Sequence, residues 1–246
     1  MWVGVVSIFP EMFRLLTGEG VVARAIAQRA LDLVIENPRD HTEDRHSTVD
    51  DRPYGGGPGM VMKVEPLVRA VQALKQRANG PVRTVYLSPQ GERLVQAKVE
   101  ALAQEERLLF IAGRYEGVDE RVIEAVVDEE ISLGDFVLTG GELPIMVVID
   151  AVARYLPGTL GNSDSVEAES YRAGLLDWAH FTRPEYVLGK QAPSVLLGGD
   201  HAAVRRWRLR NALGRTYERR PDLLSKRHLS AEERLLLEDY LATPGH

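Results

Sequence analysis

Short apolar runs alternate with amphipathic segments along the first 160 residues of the chain. Five runs rich in β-branched residues are predicted to be strands: WVGVVSIF, ALDLVIE, RTVYLS, RLLFIAG and EEISLG. Segments with apolar residues at helical spacing lie among them, namely EMFRLLTGEGVVARAIAQ, KVEPLVRAVQALKQRA, GERLVQAKVEALAQ, DERVIEAVV and GELPIMVVIDAVARYL. The strand runs are almost continuously apolar, as in strands covered on both faces. The pattern therefore predicts an α/β domain with a mostly parallel sheet.

Two polar segments interrupt this alternation. Glu36–Met60 is long and glycine-rich, and a connection of that length inside a domain is usually functional or disordered. Pro157–Ser170 is small, polar and acidic, as a linker would be. We therefore predict a first domain at residues 1–160, a flexible linker at 161–173 and a second domain at 174–246.

The second domain is predicted to be helical, without strands. Its two main segments are DHAAVRRWRLRNALGRTYERR and SAEERLLLEDYLA. The latter opens with Ser230 and has Glu233 three residues later, which is the pattern of a capping box at a helix start.

Composition and charge narrow the class of protein. The chain has no cysteine, which excludes disulfides and cysteine-bound zinc. No signal peptide is recognisable and no apolar run approaches the roughly 18–20 residues of a membrane span, so a cytoplasmic protein without a membrane partner is expected. Residues 1–160 carry 17 basic and 24 acidic residues, whereas Val204–Arg227 carries 9 basic and 2 acidic ones. This local basic patch indicates either a contact with a polyanion or a solvated helix face.

Candidate chemistry lies in three loops that each follow a predicted strand. These loops are Tyr86–Pro89, Ala112–Gly117 and Ser132–Pro144. Ligands of open α/β sheets bind beyond the carboxyl ends of the strands, and glycines there let the backbone approach a ligand closely. Each loop taken alone is more often merely a tight turn, but three such loops, each after a strand, favour a ligand site. The sequence has neither a P-loop, nor a GxGxxG motif after the first strand, nor a GxSxG elbow.

A metal site is a weaker candidate. His41, Asp44 and His46 carry ligand-type side chains within one polar loop. Such residues are more often simply solvated, so we predict no metal site.

Several long motifs, in order, carry a resemblance to a known family. They are Ser7–Pro10 (SIFP), Asp51–Met60 (DRPYGGGPGM), Tyr86–Gly91 (YLSPQG), Gly113–Arg121 (GRYEGVDER), Ile131–Pro144 (ISLGDFVLTGGELP), Gly174–Asp177 (GLLD) and His180–Pro184 (HFTRP). Together they resemble the bacterial tRNA (guanine-N1)-methyltransferases, which modify guanosine 37 of tRNA, 3′ of the anticodon. The resemblance covers nearly the whole chain.

The resemblance implies a fold and a cofactor that the hydrophobic pattern does not. The family belongs to the SPOUT class, whose parallel-sheet domain contains a deep trefoil knot, and it carries a small helical C-terminal domain. The knot loops bind S-adenosylmethionine, and Mg²⁺ can be needed for turnover without an assigned protein site. The implied cofactor positions are Tyr86, Leu87, Ser88, Pro89, Gly113, Tyr115, Glu116, Gly117, Ser132, Leu133, Gly134, Asp135, Phe136, Val137, Leu138, Gly140, Gly141 and Pro144.

Two catalytic residues are also implied. Guanine N1 must lose its proton before it attacks a methyl group, so the reaction needs a base at N1 and a cation near O6. Arg154 matches the family's arginine. The family's Asp-Ser-Phe appears here as Glu169-Ser170-Tyr171, which makes Glu169 the expected base, with Asp164 as a rival five residues earlier.

The resemblance further implies the partners. Tyr54–Met60 and the basic segment Arg205–Arg220 are expected to grip a tRNA with G at position 37. Trp207 is expected to pack in the core or to stack on a base. Members of the family are homodimers with the site built across the interface, where PIMVVIDAVARYL would pack. The alternatives are a related SPOUT methyltransferase with another target and a non-catalytic RNA-binding protein.

Overall fold

The computed structural model describes residues 1–160 and 169–243. The chain divides into two compact units, Met1–Gly161 and Asn162–His246. Asp164, the rival candidate for the catalytic base, lies outside the described residues.

A five-stranded sheet forms the centre of the first unit. Its strands lie in the order β2-β1-β6-β5-β7, and every neighbouring pair is parallel. The predicted parallel sheet is therefore confirmed. The strands are β1 Trp2–Val6, β2 Asp32–Glu36, β5 Arg83–Arg93, β6 Arg107–Ile111 and β7 Glu129–Ser132. A separate antiparallel pair is formed by β3 Asp50–Asp51 and β4 Val61–Met62.

Helices cover both faces of the sheet. Side chains of a strand alternate between faces, so Leu108 and Phe110 of β6 enter one core while Leu109 and Ile111 enter the other. The first core also contains residues of α2, α4 and α6, and the second contains residues of α3 and α5. The six helices of this unit are α1 Arg14–Gly18, α2 Gly20–Ala27, α3 Val64–Ala78, α4 Gln96–Ala103, α5 Glu120–Val126 and α6 Glu142–Ala153.

Two predicted helices differ from the structure. The segment GERLVQAKVEALAQ begins as strand, because Arg93 pairs with Ser132 of β7, and α4 starts only at Gln96. The segment EMFRLLTGEGVVARAIAQ is divided into a 3₁₀ turn at Pro10–Phe13 and two short helices, because Glu19 is extended between them. Amphipathic spacing did not reveal either break.

The long polar connection between β2 and α3 has a defined structure. It contains a 3₁₀ turn at Pro38–His41 and ends in the β3–β4 pair. The amide of Met62 donates to the carbonyl of Gly117 at 3.0 Å, and the amide of Glu116 donates to the carbonyl of Met60 at 3.0 Å. The end of this connection is thereby attached to the loop that follows β6.

The second unit is mainly helical but also contains a small hairpin. The prediction of helices without strands is wrong here, because β8 Tyr186–Val187 pairs antiparallel with β9 Lys190–Gln191. Leu188 and Gly189 between them both have positive φ, 53° and 74°, which suits a two-residue hairpin turn. The helices are α7 Ser194–Leu197, α8 His201–Arg219, α9 Pro221–Ser225 and α10 Ala231–Ala242.

The core of the second unit joins α8 to α10. Leu213 and Leu236 are buried together with Leu175 from the segment preceding the hairpin. The predicted capping box is confirmed: the Ser230 hydroxyl accepts from the Glu233 amide at 3.1 Å, and the Glu233 carboxylate accepts from the Ser230 amide at 2.8 Å.

Candidate functional site

A cavity lies where the middle of β5 meets the carboxyl ends of β6 and β7, and these three strands are neighbours in the sheet. The cavity has a volume of about 220 Å³ and is lined by Tyr86–Pro89 and by the loops after β6 and β7. Tyr86–Pro89 was predicted to be a loop after a strand, which is wrong: it lies within β5, because β5 continues to pair with β7 after a register shift between Leu87 and Glu92. Every predicted cofactor position except Asp135 lies in its wall. Binding of the cofactor by these residues remains a prediction.

Backbone contacts hold two of the loops together. The amide of Gly141 donates to the carbonyl of Gly113 at 2.8 Å, and Arg114 forms an isolated antiparallel bridge with Gly140. A Cβ on Gly141 would lie 2.8 Å from Ala112 Cα and 2.9 Å from the Gly113 nitrogen, both backbone atoms. Glycine is therefore required at position 141 by the close approach of two chain segments.

The wall of the cavity combines apolar side chains with a few polar groups. Tyr115, Phe136 and Leu138 are 48%, 55% and 41% exposed, which is unusual for side chains of this size. Burial raises the pKa of the Tyr86 phenol, and the negative charge of Glu130 adds to the effect, so the hydroxyl stays protonated. Apolar walls with a small number of polar groups are typical of sites for small organic ligands.

Three residues in the wall were missed by the sequence analysis. They are Arg114, Ile131 and Thr139. Arg114 is the most informative, because its guanidinium is largely buried and pairs with Glu142, which is 0% exposed. An arginine in a glycine-rich turn looks like a surface residue in the sequence, and no local pattern marks it as buried.

The two predicted catalytic residues lie in different units. Arg154 is the C-cap residue of α6 and is partly exposed. Glu169 lies in the second unit, half-buried, in the wall of another cavity of about 240 Å³. The wall of that cavity also contains Trp178, Arg205 and Arg208. The roles assigned to Arg154 and Glu169 remain predictions.

The basic segment of the second unit lies on α8. The guanidinium of Arg208 stands 4.8 Å from the centre of the Trp178 ring, whereas Arg210 pairs with Asp239. Arg205 is exposed. Trp207 is half-buried and packs edge-to-face on Phe181, with ring centres 6.1 Å apart. Arginines of α8 thus lie beside aromatic rings of α8 and of the segment before the hairpin, a combination that suits contacts with RNA.

The polar loop with ligand-type side chains is held by internal contacts. Nε2 of His41 lies 2.8 Å from a Glu36 carboxylate oxygen, and Asp44 accepts hydrogen bonds from Thr48 and from the His46 amide. These hydrogen bonds with Thr48 lower the pKa of Asp44. Across residues 1–160 and 169–243, no group of three metal-ligating side chains is assembled.

No helix in the described part of the chain has the length and apolar character needed to cross a membrane.

Comparisons with known proteins agree with the resemblance. A family model described as tRNA (Guanine-1)-methyltransferase TrmD matches residues 1–226. Curated proteins named tRNA (guanine-N(1)-)-methyltransferase are similar over almost the whole chain. The protein of Pseudomonas paraeruginosa is 60% identical over 242 residues, which cover 98% of this chain and 96% of the relative. That of Pseudomonas fluorescens is 59% identical over 237 residues, covering 96% and 95%, and that of Pseudomonas putida 57% over 239 residues, covering 97% and 96%.

Proposed function

Because this chain belongs to the tRNA (guanine-1)-methyltransferase family, we propose that it transfers a methyl group from S-adenosylmethionine to N1 of guanosine 37 in tRNA. The observation that carries the proposal is the cavity where the middle of β5 meets the loops after β6 and β7, because the implied cofactor positions line it. The N1 target on guanine follows the names of the relatives.

The cavity fits an adenosine-type cofactor. Gly140 and Gly141 bring the backbone itself to the cavity wall. A side chain at either position would collide with neighbouring atoms. Its exposed rings and aliphatic side chains suit the flat face of an adenine. When bound, S-adenosylmethionine supplies a methyl group on a positively charged sulfur.

The chain's own residues would handle the proton and the charge on the base. Guanine N1 carries a proton at neutral pH, and we assign its removal to the carboxylate of Glu169. Negative charge then develops at O6, which the guanidinium of Arg154 would stabilise. Glutamate replaces the family's aspartate at this position and is one methylene longer, so the segment that carries it must place the carboxylate differently.

Binding of tRNA is assigned to two surfaces. The first is the glycine-rich segment Tyr54–Met60, in which Tyr54 is 98% exposed and Gly59 packs against the Glu116 side chain in the cavity wall. The second is the arginine-rich helix α8, which would supply phosphate contacts. We assign tRNA binding chiefly to the second unit and methyl transfer chiefly to the first.

A homodimer would bring the two catalytic residues together. Most residues of helix α6 are buried within its unit, but Leu143, Val147 and Asp150 are exposed, the first two by 48% and 50%. This apolar pair, one turn apart, suits a second copy of the chain. In such a dimer the site is formed by Arg154 of one subunit and Glu169 of the other.

The trefoil knot is likewise a proposal. A knot requires one segment of the chain to pass so close to another that their backbone atoms are in contact. A Cβ on Gly141 would lie 2.8 Å from Ala112 Cα, and the Gly141 amide donates to the Gly113 carbonyl at 2.8 Å. This close approach of the segment before α6 to the loop after β6 supports a threaded chain at the cavity.

Methyl transfer to matched tRNA transcripts tests the proposal. The assay uses labelled S-adenosylmethionine and transcripts that differ only at position 37, G against A, with and without Mg²⁺. We expect label on the G37 transcript alone, located at N1. Label on another nucleotide would indicate a related methyltransferase with another target. Binding of tRNA without any transfer would indicate a non-catalytic protein, and either outcome would refute the proposal.

The role of Glu169 has its own control. Glu169→Gln keeps the size of the side chain and removes the charge. Glu232→Gln makes the same change on an exposed carboxylate that lies 3.9 Å from the guanidinium of Arg206. We expect turnover to be lost only in the first variant.

A further inference from the structure

Three side chains that are far apart in sequence form one buried cluster beside the cofactor cavity. The Ser7 hydroxyl donates to Oε1 of Glu142 at 2.8 Å, and Nε of Arg114 donates to Oε2 of the same carboxylate at 2.8 Å. Ser7 and Glu142 are both 0% exposed. Glutamate is almost never fully buried unless its charge is paired, as it is here with Arg114.

The carboxylate of Glu142 is well satisfied where it lies. Each of its oxygens accepts one hydrogen bond, and Glu142 is the first residue of the 12-residue helix α6. The positive end of the helix dipole favours a negative charge at that position. Removing Arg114 would leave the buried carboxylate without a compensating charge, which is far more costly than losing a surface ion pair.

Arg114 extends this cluster to the loop before α6. Its NH1 nitrogen donates to the carbonyl of Thr139 at 3.1 Å, and its guanidinium stands 4.6 Å from the ring centre of Phe9. A Cβ on Gly140 would lie 2.3 Å from Arg114 Nε, so the loop rests directly on the arginine side chain. Arg114 and Thr139 both line the cavity.

The cluster thus connects the two loops that line the cavity after β6 and β7 to the segment after β1. Ser7 follows β1, Arg114 belongs to the loop after β6, and Glu142 begins α6 directly after the loop that follows β7. We propose that Ser7, Arg114 and Glu142 act as a positioning clasp that sets the spacing between the loops at Gly113–Gly117 and Thr139–Gly141, and with it the affinity for S-adenosylmethionine. The three are positioning residues and not catalytic ones. The ligand's identity rests on the proposed function.

A cluster that served folding alone would change the melting temperature and leave cofactor affinity unaltered in the folded protein. A clasp that sets the cavity's width changes affinity at a given degree of folding. The dissociation constant for S-adenosylhomocysteine, measured by calorimetry on the full-length chain, separates these two roles. It does not depend on turnover or on tRNA.

Arg114→Lys is the main variant. Lysine keeps the positive charge, but its single ammonium cannot reproduce the planar fork that contacts both Glu142 and the Thr139 carbonyl. We expect the dissociation constant to rise about tenfold, the effect of losing one hydrogen bond to a charged group.

Ser7→Ala and Arg83→Lys complete the set. Ser7→Ala removes the hydrogen bond to Glu142 and the one that the Ser7 hydroxyl accepts from the Phe9 amide, but it keeps the ion pair. A smaller rise of a few fold is therefore expected and the fold should survive. Arg83→Lys makes the same substitution as the main variant in a different ion pair, with Glu105 and Glu129. Arg83 is not in the cavity wall, so its variant should bind with unchanged affinity.

The outcomes are distinguishable. Unchanged affinity in folded Arg114→Lys and Ser7→Ala would overturn the clasp while leaving the proposed function intact. If Arg114→Lys fails to fold, the Ser7→Ala measurement decides. If the unaltered protein binds no S-adenosylhomocysteine, both the cofactor site and the clasp are wrong. An equal loss of affinity in Arg83→Lys would mean that the effect reports general stability, which also refutes the clasp.

Discussion

The substitution Gly141→Ala should impair both stability and cofactor binding. Gly141 precedes α6 and has an ordinary backbone conformation, with φ at −81°, so an alanine there meets no dihedral penalty. Its Cβ would lie 2.8 Å from Ala112 Cα, about 0.6 Å closer than the 3.4 Å at which ordinary contact begins. The obstructing atoms belong to the backbone and cannot rotate away. Helix α6 and the loop after β6 must therefore move apart.

The magnitude follows from two opposing effects. Overpacking of this kind costs about 1–3 kcal/mol of the free energy of unfolding. Replacing glycine also restricts the unfolded chain, which returns about 0.4–1 kcal/mol. The net loss of about 1–2 kcal/mol corresponds to a fall in Tm of roughly 2–8 °C for a unit of this size. The same movement strains the hydrogen bond from the Gly141 amide to Gly113, so affinity for S-adenosylhomocysteine should fall about tenfold.

Calorimetry supplies both measurements, and Gly18→Ala is the matched control. Gly18 ends α1, and no neighbouring atom lies within 4 Å of the position that an alanine Cβ would occupy there. Alanine should therefore leave Tm equal or slightly higher. A Gly141→Ala protein with the Tm and the affinity of the unaltered chain would refute the reasoning. That result would mean that the two segments can separate without cost.

Three further predictions concern turnover, assembly and pH. Glu169→Gln should lower kcat by about 10²–10⁴-fold at unchanged cofactor affinity in a transfer assay, and full activity would exclude it as the base. Val147→Arg should convert a dimer into monomers in analytical ultracentrifugation, whereas Val95→Arg, at a similarly exposed site, should not; identical behaviour would place the interface elsewhere. Although burial opposes it, hydrogen bonding with Lys98 holds the pKa of Glu129 below its ordinary value. A depressed pKa stabilises the fold above about pH 4.3 and loses that contribution as the pH falls, so Glu129→Gln should flatten the decline of Tm in acid. An unchanged decline would contradict this.

Much of the fold could be predicted from the sequence, because a local period carries the information. All five predicted strand runs form the parallel sheet, and continuous apolar runs such as RLLFI of β6 require cover on both faces. The capping box at Ser230 depends on two residues that are three positions apart, so it could also be predicted from the sequence. By contrast, Gly91–Arg93 was assigned to a helix, because only its pairing with β7 makes it a strand.

Part of the site could also be predicted, because local sequence patterns mark it. Loops that follow strands can be found in a sequence, and family motifs mark the residues in them. What the tertiary structure decided is which loops meet, since that depends on the order of strands in the sheet. The clasp illustrates the limit: Ser7 lies 135 positions from Glu142, and Arg114 lies 28 positions from it. No periodicity spans such separations, so a serine, an arginine and a glutamate in three turns become one buried cluster only when the chain folds.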